Sequence, residues 1–246
     1  MLRQAVITQK HLNAFLGVFD LDKNYISAKR GFDFFCAMLG LIGTLPFWII
    51  AIIGIEISDP GPIFYKANRI GKGNKPFRMY KFRSMRQGKA NESVFRGDED
   101  RIFSFGKFIR ATKIDELPQL INILKGDMSI VGPRPAAVDQ MKITRGGKYR
   151  SAGKVSAGLT GPSALYDYLY GDCVEDAEDY EKLVLPTRLE LDLYYLKKMS
   201  RSFDIKMIVW TVIAVLGEVI GHKPKWMLKK LVKAVEKEVN KEKTFV

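Results

Sequence analysis

The chain has 246 residues, of which 47% are hydrophobic, so it is long enough to bury the core of one good-sized domain or two small ones. Its 40 Lys and Arg residues outnumber its 27 Asp and Glu residues, and the formal net charge of +13 favours an anionic partner: nucleic acid, anionic lipid or a phosphorylated substrate. The two cysteines, Cys36 and Cys173, lie far apart in the sequence, which argues against a disulfide framework, and no residue cluster has the spacing of zinc ligands.

Residues 1–28 form the first predicted segment, and their apolar side chains recur at a spacing that favours an interfacial helix. A longer apolar run from Phe34 to Ile55 contains no Asp, Glu, Lys or Arg and is long enough to cross a bilayer. Pro46 lies in the middle of this run and predicts a kink or break, because proline removes a backbone donor and clashes with the preceding turn. Basic residues flank the run on both sides, which fits a re-entrant helix over residues 29–57 that enters and leaves on one membrane face. A single-pass anchor with a tolerated proline is the alternative.

The next segment, from Ile63 to Met85, is predicted to be a β-hairpin. Two runs of β-forming residues flank the turn residues Gly71 to Asn74. The second run carries several basic residues, among them Lys81. A solvated surface is the commoner explanation for such charges.

Two helices are predicted between Arg101 and Lys125, the second with its leucines and isoleucines on one face and Gly126 as its stop. This boundary places Asp115 and Glu116 at the start of the second helix, with a proline in its first turn. Free backbone N–H groups and the helix dipole stabilise negative charge there, so an ionised carboxylate that could act as a nucleophile is expected. A simple helix cap is the alternative for an aspartate at this position.

A short strand is predicted after this helix, followed by the turn Gly132-Pro133-Arg134-Pro135. The two prolines limit the backbone freedom around Arg134. A guanidinium held in this way is suited to bidentate phosphate binding.

The C-terminal region begins with an apolar stretch, Met207 to Gly217, that is too short to span a bilayer. The segment from Lys223 to Lys243 then places its apolar residues on one helical face and lysines over much of the rest. Such a basic amphipathic helix is typical of a membrane surface. The alternative is a solvated helix packed on the domain.

Together these segments resemble the bacterial sugar transferase family, the monotopic phosphoglycosyl transferases. The resemblance spans roughly residues 29 to 212, and its specificity comes from several motifs in one order. In chain order, the matching stretches are 29–33 (KRGFD), 58–65 (SDPGPIFY), 79–85 (MYKFRSM), 115–122 (DELPQLIN), 125–135 (KGDMSIVGPRP), 158–162 (GLTGP) and 191–208.

The resemblance implies an α/β, mostly helical, monotopic membrane protein with a proline-broken re-entrant helix and a small globular catalytic domain containing a β-hairpin. It divides the chain into an N-terminal segment (1–28), the re-entrant membrane helix (29–57), the catalytic domain (58–202) and C-terminal interfacial, basic amphipathic helices (203–246).

The activity implied by the resemblance is transfer of a sugar-1-phosphate from a UDP-sugar to undecaprenyl, or another polyprenyl, phosphate. Mg²⁺ is the implied cofactor, and the implied location is the cytoplasmic face of the bacterial inner membrane. By its position in the motif, Asp115 would attack the β-phosphorus and ligate Mg²⁺, while Glu116 would assist proton handling or metal placement. The residues expected to bind phosphate or nucleotide are Lys81, Arg110, Pro133, Arg134 and Pro135.

The sequence departs from the family pattern at two places. Many members have serine before the proline of the membrane helix, whereas this chain has Leu45, with Thr44 as another source of a hydroxyl group. Residues 162–181 also diverge, so the sequence assigns no sugar.

Three rival functions are a basic nucleic-acid-binding membrane protein, a non-catalytic membrane scaffold and a lipid-phosphate hydrolase that uses the same aspartate. Nucleic acid is not an expected partner, because no motif interleaves aromatic and basic residues. A scaffold would be expected to lose Asp115, Glu116 or Arg134, and all three are present. The glycan pathway and the formation of a homo-oligomer stay open.

Overall fold

The structure is a computed structural model, and it describes residues 22–86, 101–171, 174 and 177–243. Most of the predicted N-terminal interfacial segment lies outside these residues, as does Cys173. The described part of the chain is mostly helical, with a three-stranded sheet and a separate two-stranded sheet.

The predicted β-hairpin is confirmed. Strands β1 (Phe64–Ile70) and β2 (Pro76–Phe82) pair antiparallel and are joined by the 3₁₀ turn Lys72–Asn74. The turn needs residues that accept positive φ, and Gly73 (φ 70°) and Asn74 (φ 55°) supply them. A short strand, β4 (Ala136–Ala137), adds to the other edge of β1 and gives the order β2-β1-β4.

The helix predicted to carry the two acidic residues begins later than expected. Helix α2 (Ser104–Ala111) is followed by the 3₁₀ turn Ile114–Glu116, and only then by α3 (Gln119–Lys125). Asp115 and Glu116 therefore lie in a turn before the α-helix, not in its first turn. Lys113 adopts a left-handed conformation (φ 59°), which separates the two helices. Gly126 (φ 92°) ends α3, as predicted.

The turn after α3 is held by a close approach of two backbone segments. Strand β3 (Met128–Val131) pairs in parallel with β5 (Ala157–Thr160), and the pairing continues into the turn, where Pro133 C=O accepts from Gly158 N–H at 2.8 Å. A Cβ atom on Gly158 would lie 2.2 Å from Gly132 N, so only glycine fits there. This contact fixes the backbone that leads to Arg134.

Six further α-helices lie in the described part of the chain after β3: α4 (Met141–Thr144), α5 (Pro162–Leu169), α6 (Ala177–Asp179), α7 (Leu185–Lys198), α8 (Arg201–Val219) and α9 (Lys225–Lys243). A 3₁₀ helix, Gly147–Lys154, follows α4, and a π-helical turn, Tyr180–Val184, joins α6 to α7. Helices α5, α7, α8 and α9 surround the largest buried cluster, which includes Tyr195, Leu191 and Met207.

The two C-terminal helices differ in what covers their apolar faces. The apolar face of α9 packs on the domain, with Met227, Leu231 and Val235 buried, so the packed-helix alternative describes it better than insertion of that face into a membrane. Helix α8 instead keeps an exposed apolar stripe that includes Ile205 and Leu216. The sequence pattern could not separate these cases, because a helix turns the same apolar face toward protein or lipid.

The first helix, α1 (Lys23–Ser58), is the one helix among the described residues that is long and apolar enough to cross a membrane. The helix continues through Pro46 without interruption, and a kink within it stays a prediction. The Thr44 hydroxyl donates to Gly40 C=O at 2.6 Å. It therefore does not bond the Ile42 C=O, which is the carbonyl that a proline four residues later leaves without its helical partner.

Both ends of α1 are tied to the same globular domain. Near its start, Asp33 accepts from the Ser129 hydroxyl (2.6 Å) and from Ile130 N–H (3.0 Å). Just beyond its end, Asp59 forms an ion pair with Arg83 (2.8 Å). Between these points one face of the helix is buried against the domain, and the other is exposed. The most exposed apolar residues of that second face are Phe35, Leu39, Ile42, Leu45, Ile49, Ile53 and Ile57.

Candidate functional site

The site is built on the turn that carries Asp115 and Glu116, and Asn122 of α3 fixes this turn against the hairpin. The buried Asn122 side chain accepts from Tyr80 N–H (2.9 Å) and donates to Arg78 C=O (2.7 Å) and to the Asp127 carboxylate (3.2 Å). These bonds lock the start of α3 beside strand β2. Residue 81 of that strand therefore comes next to the acidic turn.

Glu116 is fully engaged by its neighbours. Its Oε1 accepts from Lys81 Nζ (3.2 Å) and lies 3.5 Å from Lys113 Nζ, and its Oε2 accepts from Gln119 Nε2 (3.2 Å). Burial alone would raise the pKa of Glu116, but the positive charges of Lys81, Lys113 and Arg134 outweigh it and hold that pKa well below its usual range. Glu116 is therefore ionised at neutral pH.

Asp115 has the opposite character. Its side chain is buried, and its Oδ1 has no hydrogen-bond partner within the described residues. Burial raises the pKa of Asp115, and the negative charge of Glu116 adds to this, while Lys81, Lys113 and Arg110 act against it. The sequence predicts an ionised carboxylate here; the raised pKa shows that burial opposes ionisation, and the ionised state at neutral pH stays a prediction. A buried carboxylate without a partner is a costly group.

The three predicted phosphate-binding cations all lie close enough to influence the acidic pair. Lys81 contacts Glu116 directly, Arg110 lowers the pKa of Asp115, and Arg134 lowers that of Glu116. Arg110 is exposed, with its guanidinium on Met85 Sδ at 3.4 Å. The structure therefore gathers cations from three separate segments around one acidic turn.

The turn that holds Arg134 is rigid, as its two prolines predict. Pro133 is buried and Pro135 is half-buried. The backbone of Arg134 is held on both sides, because its N–H donates to Asp192 Oδ1 (3.0 Å) and its C=O accepts from Arg145 (2.9 Å).

Sequence reasoning missed two residues of the site. Lys113 reaches Glu116 and also lies over the Tyr168 ring at 4.4 Å. Asp167 forms an ion pair with Arg134 at 2.8 Å. Lys113 could have been found by its place two residues before Asp115, whereas no local signal marks Asp167, which lies in the divergent stretch after Thr160.

The site lies against the apolar helix. Ile114, the first residue of the acidic turn, is buried in a cluster with Ala51 and Ile55 of α1 and with Phe82 at the end of β2. A reaction at the turn would therefore take place beside the helix whose other face is exposed and apolar.

Comparison with known proteins shows the family to which the chain is similar. The model of the family described as "Bacterial sugar transferase" matches residues 24–218. A UDP-glucose:undecaprenyl-phosphate glucose-1-phosphate transferase of Xanthomonas campestris pv. campestris is 34% identical over 215 residues, which cover 84% of this chain and 42% of that protein. A UDP-N-acetylgalactosamine-undecaprenyl-phosphate N-acetylgalactosaminephosphotransferase of Aeromonas hydrophila is 36% identical over 199 residues, covering 78% and 44%.

A shorter relative is covered almost completely. An exopolysaccharide production protein of Rhizobium leguminosarum bv. phaseoli is 33% identical over 199 residues, which cover 76% of this chain and 94% of that protein. The chain thus spans less than half the length of the first two relatives and nearly all of the third.

Proposed function

Since the chain belongs to the bacterial sugar transferase family, we propose that it transfers a sugar-1-phosphate from a UDP-sugar to undecaprenyl phosphate or another polyprenyl phosphate. The observation that carries the proposal is Asp115, a buried carboxylate with a partnerless oxygen, set among cations and packed beside an apolar helix. The names of the Xanthomonas and Aeromonas relatives support the substrate classes.

The proposed reaction has two steps at one phosphorus atom. An oxygen of Asp115 attacks the β-phosphorus of the UDP-sugar, the bond from that phosphorus to the bridging oxygen breaks, and UMP leaves. The phosphosugar then stays on Asp115 as an acyl phosphate. An oxygen of the polyprenyl phosphate attacks the same phosphorus and releases the carboxylate. Covalent catalysis with two phosphate-bearing substrates predicts ping-pong kinetics.

The cations neutralise charge in both steps. Phosphoryl transfer depends mainly on alignment and on stabilisation of the charge on phosphate oxygens, and Lys81, Arg110 and Arg134 come from three rigid segments around the turn. Glu116 is held ionised, which makes it a poor proton donor, so of its two expected roles we favour metal placement over proton handling. By engaging Lys81 and Lys113, it orients two of the cations beside Asp115.

The residues present fit Mg²⁺ only if the substrate supplies further ligands. Within the described residues no group of three His, Cys, Asp or Glu side chains could hold a metal ion. Mg²⁺ commonly keeps several waters and is bound by one or two carboxylates together with substrate phosphates, and the partnerless Oδ1 of Asp115 suits that arrangement. When bound, the ion would neutralise charge on the phosphate oxygens.

We further propose that the protein is monotopic and lies on the cytoplasmic face of the inner membrane. A helix that crossed the bilayer would carry one of its ends away from the domain, whereas Asp33 and Asp59 tie both ends of α1 to it. The exposed apolar faces of α1 and α8 would then enter one leaflet, without any contribution from the packed face of α9. The acidic turn that contains Asp115 and Glu116 would then lie at the depth of the lipid phosphates.

A panel of UDP-sugars tests the function. Purified protein in nanodiscs is mixed with each donor, Mg²⁺ and undecaprenyl phosphate, and UMP and lipid-linked product are measured for the wild type, for Asp115→Asn and for Asp139→Asn, a control at an exposed aspartate. We expect one or a few donors to give lipid-dependent UMP with the wild type and the control, and none with Asp115→Asn. Repeated turnover to UMP without the lipid, beyond the one equivalent released when the covalent intermediate forms, would indicate a hydrolase. No UMP release from any donor would overturn the proposal.

A further inference from the structure

The divergent stretch after Thr160 reaches the phosphate-binding Arg134 through one carboxylate. Asp167, in α5, accepts from Arg134 NH2 at 2.8 Å. Asp167 itself is buried, whereas the Arg134 side chain is 37% exposed, so a substrate can reach the arginine but not the aspartate behind it. The ion pair therefore joins an accessible cation, Arg134, to a buried carboxylate, Asp167.

Two further side chains, Tyr180 and Arg188, hold the Asp167 carboxylate in place. Oδ1 of Asp167 accepts from the Tyr180 hydroxyl at 2.5 Å, and the Tyr180 oxygen accepts from Arg188 NH1 at 2.8 Å. Arg188 is buried in α7 and Tyr180 begins the π-helical turn before it. The π-turn, a local irregularity in the helix, thus places Tyr180 where it meets α5.

The protonation states of Asp167 and Tyr180 are those that the hydrogen bond between them requires. Burial alone would raise the pKa of Asp167, but Arg134 and Arg188 hold that pKa below its usual range, so the carboxylate is ionised near neutral pH. Burial raises the pKa of Tyr180 to about 12, so its hydroxyl keeps the proton that it donates. Each group is in the protonation state that its hydrogen bond requires.

The backbone of Arg134 is already fixed by Asp192 and Arg145, and the ion pair with Asp167 restricts the freedom of the side chain. A guanidinium that is oriented before its ligand arrives loses less conformational entropy on binding.

We propose that Asp167, supported by Tyr180, is a positioning residue that orients Arg134 toward the diphosphate of the sugar donor. The inference rests on the proposed function for the identity of the donor. It gives the divergent stretch a role in donor binding, through an arginine that lies outside the stretch.

The test compares Asp167→Asn and Tyr180→Phe with the wild type, and Glu181→Gln is the control because Glu181 is an exposed carboxylate in the same stretch. Loss of a charge-assisted contact is expected to raise the KM for the UDP-sugar about tenfold in Asp167→Asn. The rise should be smaller in Tyr180→Phe and absent in the control. The kcat and the KM for polyprenyl phosphate should change less than the KM for the donor, because Lys81 and Arg110 also neutralise phosphate charge during the reaction.

A double-variant cycle separates positioning from a merely structural role. In an Arg134→Ala background, Asp167→Asn should change the donor KM no further, because the residue through which it acts is gone. Equal effects of Asp167→Asn with and without Arg134, or a loss confined to kcat, would overturn the proposal. Tyr180→Phe, which removes a single hydroxyl, keeps the test usable if Asp167→Asn does not fold.

Binding of UDP measured by calorimetry distinguishes this inference from the proposed function. If the wild type binds UDP but releases no UMP, the transferase assignment fails, and the positioning role is then judged on the dissociation constant. A UDP affinity about tenfold weaker in Asp167→Asn supports the role, and an unchanged affinity contradicts it.

Discussion

Replacing Asn122 with aspartate should destabilise the protein while changing almost no volume. The change removes the two N–H donations of Asn122, to Arg78 C=O at 2.7 Å and to the Asp127 carboxylate at 3.2 Å, and sets a buried acidic oxygen against both acceptors. A neutral hydrogen bond contributes about 1 kcal/mol and one to a charged group about 2 kcal/mol, so the expected loss is about 3 kcal/mol. For a chain of this size that lowers Tm by roughly 6 to 12 °C.

The assay is thermal unfolding in nanodiscs at several pH values. Asn68→Asp is the matched control, because Asn68 undergoes the same chemical change on the exposed side of β1. Acid should partly restore the stability of Asn122→Asp, since a protonated carboxyl regains one donor. Activity should fall together with stability, because Asn122 holds α3, and with it the turn that contains Asp115, against strand β2. Equal Tm values for the two variants at neutral pH would refute the role given to Asn122.

Three further predictions concern the acidic turn and the membrane helix. In Lys81→Met, Asp115 and Glu116 lose a cation that lowers the pKa of both. The acidic limb of the pH–rate profile should therefore move to higher pH. An unmoved limb would show that Lys81 does not act on the two carboxyl groups electrostatically. Because burial raises the pKa of Asp115, its contribution to stability is present at low pH and is lost as pH rises through the folded-state pKa. Asp115→Asn should therefore raise Tm at neutral pH, by an amount that vanishes near pH 3. A lower Tm at neutral pH would contradict this. The two ends of α1 can be labelled through single cysteines at Asn24 and Ser58, in a chain whose native cysteines are replaced by serine. Both cysteines should react with an impermeant maleimide only in inside-out vesicles. Labelling of the two ends from opposite sides would establish a spanning helix.

Local chemistry made several elements predictable from the sequence. The hairpin follows from β-forming runs around a turn rich in glycine, and the end of α3 follows from Gly126 at a positive φ. The rigid turn at Arg134 follows from its two prolines. In each case the residues that decide the structure are neighbours in the sequence.

Features that depend on distant contacts could not be predicted in the same way. The raised pKa of Asp115 comes from burial in a turn that packs on α1 and β2, which are distant in sequence, so the local helix argument did not include it. The apolar face of α9 could equally have met lipid, and only its packing with α7 in the tertiary structure decides the matter. The ion pair between Arg134 and Asp167 joins a residue of a recognisable motif to one in the divergent stretch, where no sequence pattern marks it.

Exchange of labelled UMP into a UDP-sugar, with no polyprenyl phosphate present, is the direct test of a covalent intermediate on Asp115. If Asp115 takes up the phosphosugar and releases UMP before the lipid binds, the wild type should incorporate label into the donor that it uses, and Asp115→Asn should incorporate none. Lipid-dependent turnover without any such exchange in the absence of lipid would contradict the account, because it would mean that both substrates must be bound before the phosphorus is attacked.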